Sequence, residues 1–314
     1  MTMTAEVAQE KDVEEARSLL NDIVDQSRVA VNESEKSHTR NLIGELVDQV
    51  LSGTVTVSND LVASIDARVA ELDRLISAQL NSIMHAPEFQ QLEASWRGLK
   101  YLVRESETST MLKIKVLNTS KKDLIKDFKT ASDFDQSALF KKVYEEEYGT
   151  FGGGPYAALI GDYDFGRHAE DFYLLDQVSH VAAAAHAPFI SAASPSLFGL
   201  DTFTDIGKPR DLAKVFDTVE YAKWKGFRET EDSRYVGLVL PNVLGRLPYG
   251  RNTVPVEEFN FEEDCDGSNH DKYLWTNASY AFATRLTEAF SSYGWLAAIR
   301  SMAGCRCLAD GPAP

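Results

Sequence analysis

The stretch Gly149-Thr-Phe-Gly-Gly-Gly-Pro-Tyr-Ala-Ala-Leu-Ile-Gly-Asp162 sets Gly149, Gly152, Gly153 and Gly154 just before a short apolar run. A phosphate-cradling loop has the opposite order: its glycines follow a strand and precede a helix, so that backbone amides at the helix N-terminus face the phosphate. No Lys-Ser or Lys-Thr follows at the Walker spacing, and the four glycines do not give the G-x-G-x-x-G register of a dinucleotide fold. The segment therefore reads as a permissive turn that leads the chain into a buried strand.

The rhythm downstream of that turn is regular. Tyr156 to Gly161, Phe189 to Ala193, Tyr235 to Leu240 and Trp295 to Ile299 are short apolar runs, with helical patterns at Ala169 to His186, Arg210 to Arg228 and Tyr273 to Tyr293. Strands alternating with helices predict an α/β fold with a largely parallel sheet. Upstream, Met111 to Leu117 alternates as a strand, Ser120 with Asp123 marks a helix start, and Leu139, Phe140, Val143 and Tyr144 form one helix face.

The first fifty residues carry two short amphipathic patterns. One is built on Val13, Ala16, Leu19, Leu20, Ile23 and Val24, the other on Leu42, Ile43, Leu46, Val47, Val50 and Leu51, with a polar link from Asn32 to Arg40 between them. Thr54, Val55, Thr56, Val57 and Ser58 then alternate like a short strand, and Ser58 to Asp60 can cap the long helix that follows. Its apolar stripe runs through Ile65, Val69, Leu72, Leu75, Ile76, Leu80 and Ile83. Pro87 suits the first turn of a second helix, with Phe89, Leu92, Trp96, Leu99 and Leu102 on one side. The two helices read as a hairpin able to pack on a body or on a partner's helices.

The expected organisation is thus a flexible helical arm at 1–53, a strand and helical hairpin at 54–104, an α/β body at 105–300 and a tail at 301–314. The chain of 314 residues, 44% hydrophobic and 10% aromatic, can supply a substantial core. A formal charge of −16, from 48 acidic against 32 basic residues, argues against nucleic acid as a partner. No apolar run approaches the roughly 20 residues of a membrane span, and the acidic start MTMTAEVAQEKDVEEAR is unlike a signal peptide, so a cytoplasmic location is expected. Cys265, Cys305 and Cys307 are odd in number and suggest reduced thiols rather than a disulfide framework.

Motifs with chemical content are sparse. Gly161-Asp-Tyr-Asp-Phe-Gly-Arg167 places Asp162 and Asp164 in what reads as a loop at the carboxyl end of the first strand. No Lys or His cluster accompanies them, and a capped turn is the simpler reading. His180 and His186 are six positions apart, about 240° around a helix, so they do not face one another as metal ligands. The acidic run Glu257-Glu-Phe-Asn-Phe-Glu-Glu-Asp-Cys-Asp-Gly267 lacks calcium-loop spacing and reads as a solvated loop or a docking surface for a basic partner. Cys305-Arg-Cys307 gives two thiols without further ligands. No catalytic, cofactor-binding or metal residue is assigned from the sequence.

Several segments taken together resemble one family. They are LISAQLNSIMHAPEFQQLEASWRGLKYLV at 75–103, YGTFGGGPYAALIGDYDFGR, AAAAHAPFISAASPSLFG, VEYAKWKGFRETEDSRYVGLVLP, RLPYG and NHDKYLW. This combination is similar to the large subunit of the type VI secretion contractile sheath, the TssC/VipB family, from about Leu61 to Arg300. After about Arg300 the chain departs from the family's usual continuation, as a truncation or a shifted reading frame would.

The resemblance implies a bacterial structural protein rather than an enzyme, without cofactor. Its implied partners are the small sheath subunit (TssB/VipA), neighbouring copies of itself, the inner tube of Hcp and the ClpV ATPase that dismantles contracted sheath. It places the ATPase-recognition helix at Leu19, Leu20, Ile23 and Val24, and makes Thr54 to Ser58 a candidate for strand exchange between subunits. Leu72, Leu75, Ile76, Leu80, Phe89, Leu92 and Trp96 are the candidates for partner packing. Two competing readings are an α/β enzyme with a site near Asp162 and Asp164, and an adaptor that presents the N-terminal helix to an unfoldase.

Overall fold

The glycines before the first strand form a tight turn. Gly152 adopts a positive φ of 82°, and a Cβ on Gly153 would lie 2.3 Å from the Glu147 carbonyl oxygen, so neither position suits a larger residue. The computed structural model describes residues 33–51, 61–257, 259–296 and 299. The chain divides into two units, Met1–Gln79 and Leu80–Pro314.

The described part of the first unit is helical. Helix α1 spans Glu33–Leu51, and helix α2, Leu61–Met84, begins in the first unit and ends in the second. The polar link expected from Asn32 to Arg40 is instead helical from Glu33 onward. Its Glu, Lys and Arg residues are good helix formers, and Thr39 returns a hydroxyl bond to the Glu35 carbonyl. Leu19, Leu20, Ile23 and Val24, Thr54 to Ser58 and the tail from 301 lie outside the described residues.

In the second unit, helix α3 (Pro87–Glu105) opens with Pro87 and Glu88 in its first turn and carries Arg104 in its last, as the helix dipole favours for Glu88 and Arg104. Helix α4 (Lys121–Thr130) starts on a reciprocal capping box. The Asp123 amide donates to the Ser120 hydroxyl oxygen at 3.2 Å, and the Ser120 amide donates to the Asp123 carboxylate at 3.3 Å. Helix α5 (Ala138–Phe140) continues as a π-helix, Lys141–Tyr148, and feeds the glycine turn.

A three-stranded parallel sheet follows, in the order β1 (Leu159–Phe165), β2 (Phe189–Ala193), β3 (Val236–Val239). Helix α6 (Ala169–Ala184) connects β1 to β2, and helix α7 (Ala222–Glu229) lies between β2 and β3. The central strand β2 is buried along its whole length, as its apolar run implies. A two-stranded antiparallel pair, β4 (Val243–Leu244) with β5 (Trp275–Thr276), precedes helix α8 (Ala278–Tyr293). Asn277 caps α8 by accepting the Ser279 amide, and Gly294, at φ 67°, ends it.

The sheet is covered on both faces. Leu159, Phe165 and Phe189 pack with α4, α5, α6 and α7 on one side, whereas Ile160 packs with Leu99 and Leu102 of α3 and with Tyr280 and Ala283 of α8 on the other. This is the α/β layering that the alternation of elements predicts. The Tyr280 ring of α8 packs directly on the α3 backbone at Gly98, where an added Cβ would lie 2.3 Å from it.

Further expectations change in the second unit, among them the helix expected from Tyr273, which starts at Ala278 after β5. Met111 to Leu117 forms no strand: Met111 lies in a bend, and the Ser109 amide bonds the Leu112 carbonyl at 3.0 Å. Arg210 to Arg228 is broken into two 3-10 turns and α7, since Thr218 is extended and Phe216, Tyr221 and Trp224 gather into an aromatic cluster. The first strand begins later than Tyr156 and runs through Phe165, so Asp162 and Asp164 are strand residues rather than loop residues. Trp295 and Leu296 carry no strand, and Ala297 and Ala298 lie outside the described residues.

Candidate functional site

On α2, Ile65, Val69, Leu72 and Ile76 follow one another at spacings of four, three and four residues, and all are exposed, as is Leu75 beside them. That spacing keeps them on one helix face. Leu80 is half-buried, and Ile83 is exposed.

Helix α3 has two apolar sides. Gly98, Leu99 and Leu102 face the core, while Phe89, Leu92, Trp96 and Val103 form an outward stripe. Leu92 is 57% and Trp96 65% exposed, which marks this face as one that the described residues leave uncovered. Beside it, Val103 joins Leu112, Ile114 and Val116 of the segment that follows α3 around an open groove of about 460 Å³.

What holds α3 in place is an ion-pair knot on its other flank. The Arg246 guanidinium donates to both Glu263 oxygens, at 2.5 and 2.9 Å, and to Glu93 of α3 at 2.8 Å. Glu93 also accepts from Arg97 at 2.6 Å, and Arg97 donates to the Tyr249 hydroxyl at 3.0 Å. The Tyr249 amide donates to Glu263 at 2.9 Å, and the Arg246 guanidinium lies 4.7 Å from the Tyr249 ring centre. Burial opposes the charge on Arg246, but Glu263 and Glu93 outweigh it and hold its pKa above the ordinary value. Arg246 and Tyr249 are the first and fourth residues of the RLPYG segment.

The acidic run 257–267 is therefore not simply solvated. Glu263 is buried as the partner of Arg246, and Phe261 is buried beside it. The sequence carries no local mark of this, because the partner arginine is 17 residues away and Glu93 is 153 residues from Arg246.

Asp162 and Asp164 line a polar cleft of about 330 Å³ with Asn242, Asp271, Trp275 and Asn277. The cleft lies where β1 loses register with β2, between Ile160 and Asp164. Side chains replace the missing ladder bonds. The Ser191 hydroxyl lies 2.9 Å from the Gly161 carbonyl oxygen and 2.7 Å from that of Tyr163; Asn277 donates to Tyr163 at 3.1 Å, and Ser279 to Gly161 at 3.3 Å. Burial, with Asp162 nearby, pushes the Tyr163 hydroxyl up to about 12. Asp162 also faces the Tyr280 hydroxyl, whose pKa is raised chiefly by burial.

The histidines take separate partners. His180 pairs with Asp232 at 2.7 Å, whereas His186, at φ 53°, lies 3.4 Å from the Tyr235 hydroxyl. Among the described residues, no helix is long and apolar enough to cross a membrane.

Comparison with known proteins adds two findings. The family model VipB, described as EvpB/VC_A0108, tail sheath N-terminal domain, matches residues 66–313. Over 259 residues the chain is 51% identical to the type VI secretion system sheath protein TssC1 of Pseudomonas aeruginosa. That match covers 82% of this chain and 52% of the relative, so the chain spans about half the length of the curated protein it matches.

Proposed function

This chain belongs to the VipB family of tail sheath proteins, and from that premise we propose that it acts as a structural subunit of a type VI secretion sheath. In that role it pairs with the small sheath subunit, polymerises with copies of itself around an Hcp tube and takes part in contraction. Its work is done by binding energy distributed between two packings rather than by bond chemistry.

The observation that carries the reading is the uncovered stripe of α3. A face of Phe89, Leu92, Trp96 and Val103 at helical spacing is the pattern by which one helix docks on another. Leu72, Leu75 and Ile76 of α2 offer a second stripe of the same kind. The small sheath subunit is the proposed occupant. Two assignments rest on the family resemblance: Leu19, Leu20, Ile23 and Val24 as the helix engaged by the ClpV ATPase, and Thr54 to Ser58 as an exchanged strand.

Co-expression with the small sheath subunit tests the reading. A stable complex is expected, and it should be lost in the double variant Leu92→Asp, Trp96→Asp while the variant keeps its own fold by circular dichroism. If the unaltered chain and a version extended to the full length of its relatives both fail to bind the small subunit, the proposal is wrong.

A further inference from the structure

The last turn of α2 brings His85 to the segment that follows the RLPYG motif. Asn81, one turn earlier, clamps that segment: its amide donates to the Glu262 carbonyl at 3.3 Å and its oxygen accepts the Asp264 amide at 3.0 Å. The His85 amide in turn bonds the Asn81 carbonyl at 3.0 Å, so one helical turn fixes the imidazole relative to Glu263 and Cys265.

Three donor atoms of different chemistry converge there. One nitrogen of the His85 ring, one Glu263 oxygen and the Cys265 sulfur all lie within 4.8 Å of one another. His85 Nε2 is shut off from solvent, has no hydrogen-bond partner and lies 3.5 Å from Glu263 Oε1. Glu263 Oε2 accepts from Arg246 Nη1 and the Tyr249 amide, while Oε1 accepts from Arg246 Nη2 alone. A carboxylate oxygen has two acceptor directions, so Oε1 keeps one in reserve.

We propose that His85, Glu263 and Cys265 bind a divalent cation of zinc's borderline softness, with water completing a four-coordinate site. Imidazole nitrogen, thiolate sulfur and carboxylate oxygen are the zinc donor set, whereas calcium and magnesium require oxygen ligands. Arg246 and Arg97 are together matched by Glu93 and Glu263, so Glu263 would be shared between Arg246 and the ion, and the Cys265 thiolate adds the further negative charge beside it. Cys265 releases its proton on coordination, which makes binding stronger at higher pH. The bound ion fastens the Glu262–Asp266 segment to the end of α2 through side chains, in addition to the Asn81 clamp. The ion sits against the Arg246 knot, and its role here is to join two segments of the chain.

Cobalt titration of the full chain carrying Cys305→Ser and Cys307→Ser tests the site with Cys265 as its only thiol. We expect a thiolate-to-cobalt absorption band that saturates at one equivalent, and a melting temperature that rises with added zinc. Adding Cys265→Ser should abolish the band and the thermal shift, and His85→Gln should weaken affinity by about tenfold or more with its circular dichroism unchanged. Absence of a saturable band in the Cys305→Ser, Cys307→Ser chain, or a band that survives Cys265→Ser, overturns the proposal.

Discussion

Arg246 grips Glu263 through two parallel bonds, Nη1 to Oε2 at 2.5 Å and Nη2 to Oε1 at 2.9 Å, and its Nε ties the pair to Glu93 of α3 at 2.8 Å. Arg246 and Glu263 are buried, so removing the guanidinium leaves the Glu263 carboxylate without its cation and Glu93 with Arg97 alone. Arg246→Met should therefore destabilise the chain by about 3–5 kcal/mol. Urea unfolding measures it, and a loss within experimental error of zero would show that the knot is not a fastening of α3.

The same knot sets an acid limit. Burial alone would raise the pKa of Glu93, but the bonds and charges of Arg246 and Arg97 outweigh it and hold the group below its ordinary 4.5. Because the folded value is the lower one, this stabilisation is fully present above about pH 4.5 and is lost as pH falls through the folded value. Glu93→Gln should flatten the dependence of unfolding free energy on pH across that acid window. An unchanged slope would remove Glu93 as its source.

At the α3 and α8 crossing, Gly98 meets the Tyr280 ring with no room for a methyl group. Alanine improves helix propensity by about 1 kcal/mol, but overpacking costs about 1–3 kcal/mol. A 2.3 Å approach to a buried ring puts Gly98→Ala at the upper end of that range. Thermal unfolding should show a lower midpoint, relieved when Tyr280→Leu is added.

In the sheet, Ser191 serves the carbonyls of Gly161 and Tyr163 where the β1 ladder slips. Ser191→Ala leaves buried acceptors short of a donor and should reduce stability by about 1–3 kcal/mol. Hydrogen exchange should show the loss concentrated in β1 and β2. A uniform loss across the chain would argue that the slip is held by other contacts.

Local signals made part of this structure legible in the sequence. The glycine turn, the Ser120 capping box and the largely apolar run Phe189 to Ala193 each carry their own conformation, and the structure has them where the residues place them. The stripe of α3 was legible only in part: Phe89, Leu92, Trp96, Leu99 and Leu102 repeat at helical spacing, but the fold turns Leu99 and Leu102 to the core and leaves Phe89, Leu92 and Trp96 exposed. Burial of Glu263 was not, since it depends on Arg246 and Glu93, which only the fold brings together. Nor was the slip in β1: Ser191, Asn277 and Ser279 look like ordinary polar residues until the carbonyls they serve are seen. Met111 to Leu117 has the alternation of a strand, but alternation specifies a face and supplies no partner.

The sheath account rests most directly on whether the α3 stripe becomes covered. Hydroxyl-radical footprinting of the chain alone and with the small sheath subunit, read by mass spectrometry at Phe89, Leu92 and Trp96, measures this. The account predicts strong protection of all three in the complex, with the buried Phe165 and Phe172 unreactive in both states. Equal labelling of Trp96 and Leu92 with and without the partner would contradict it.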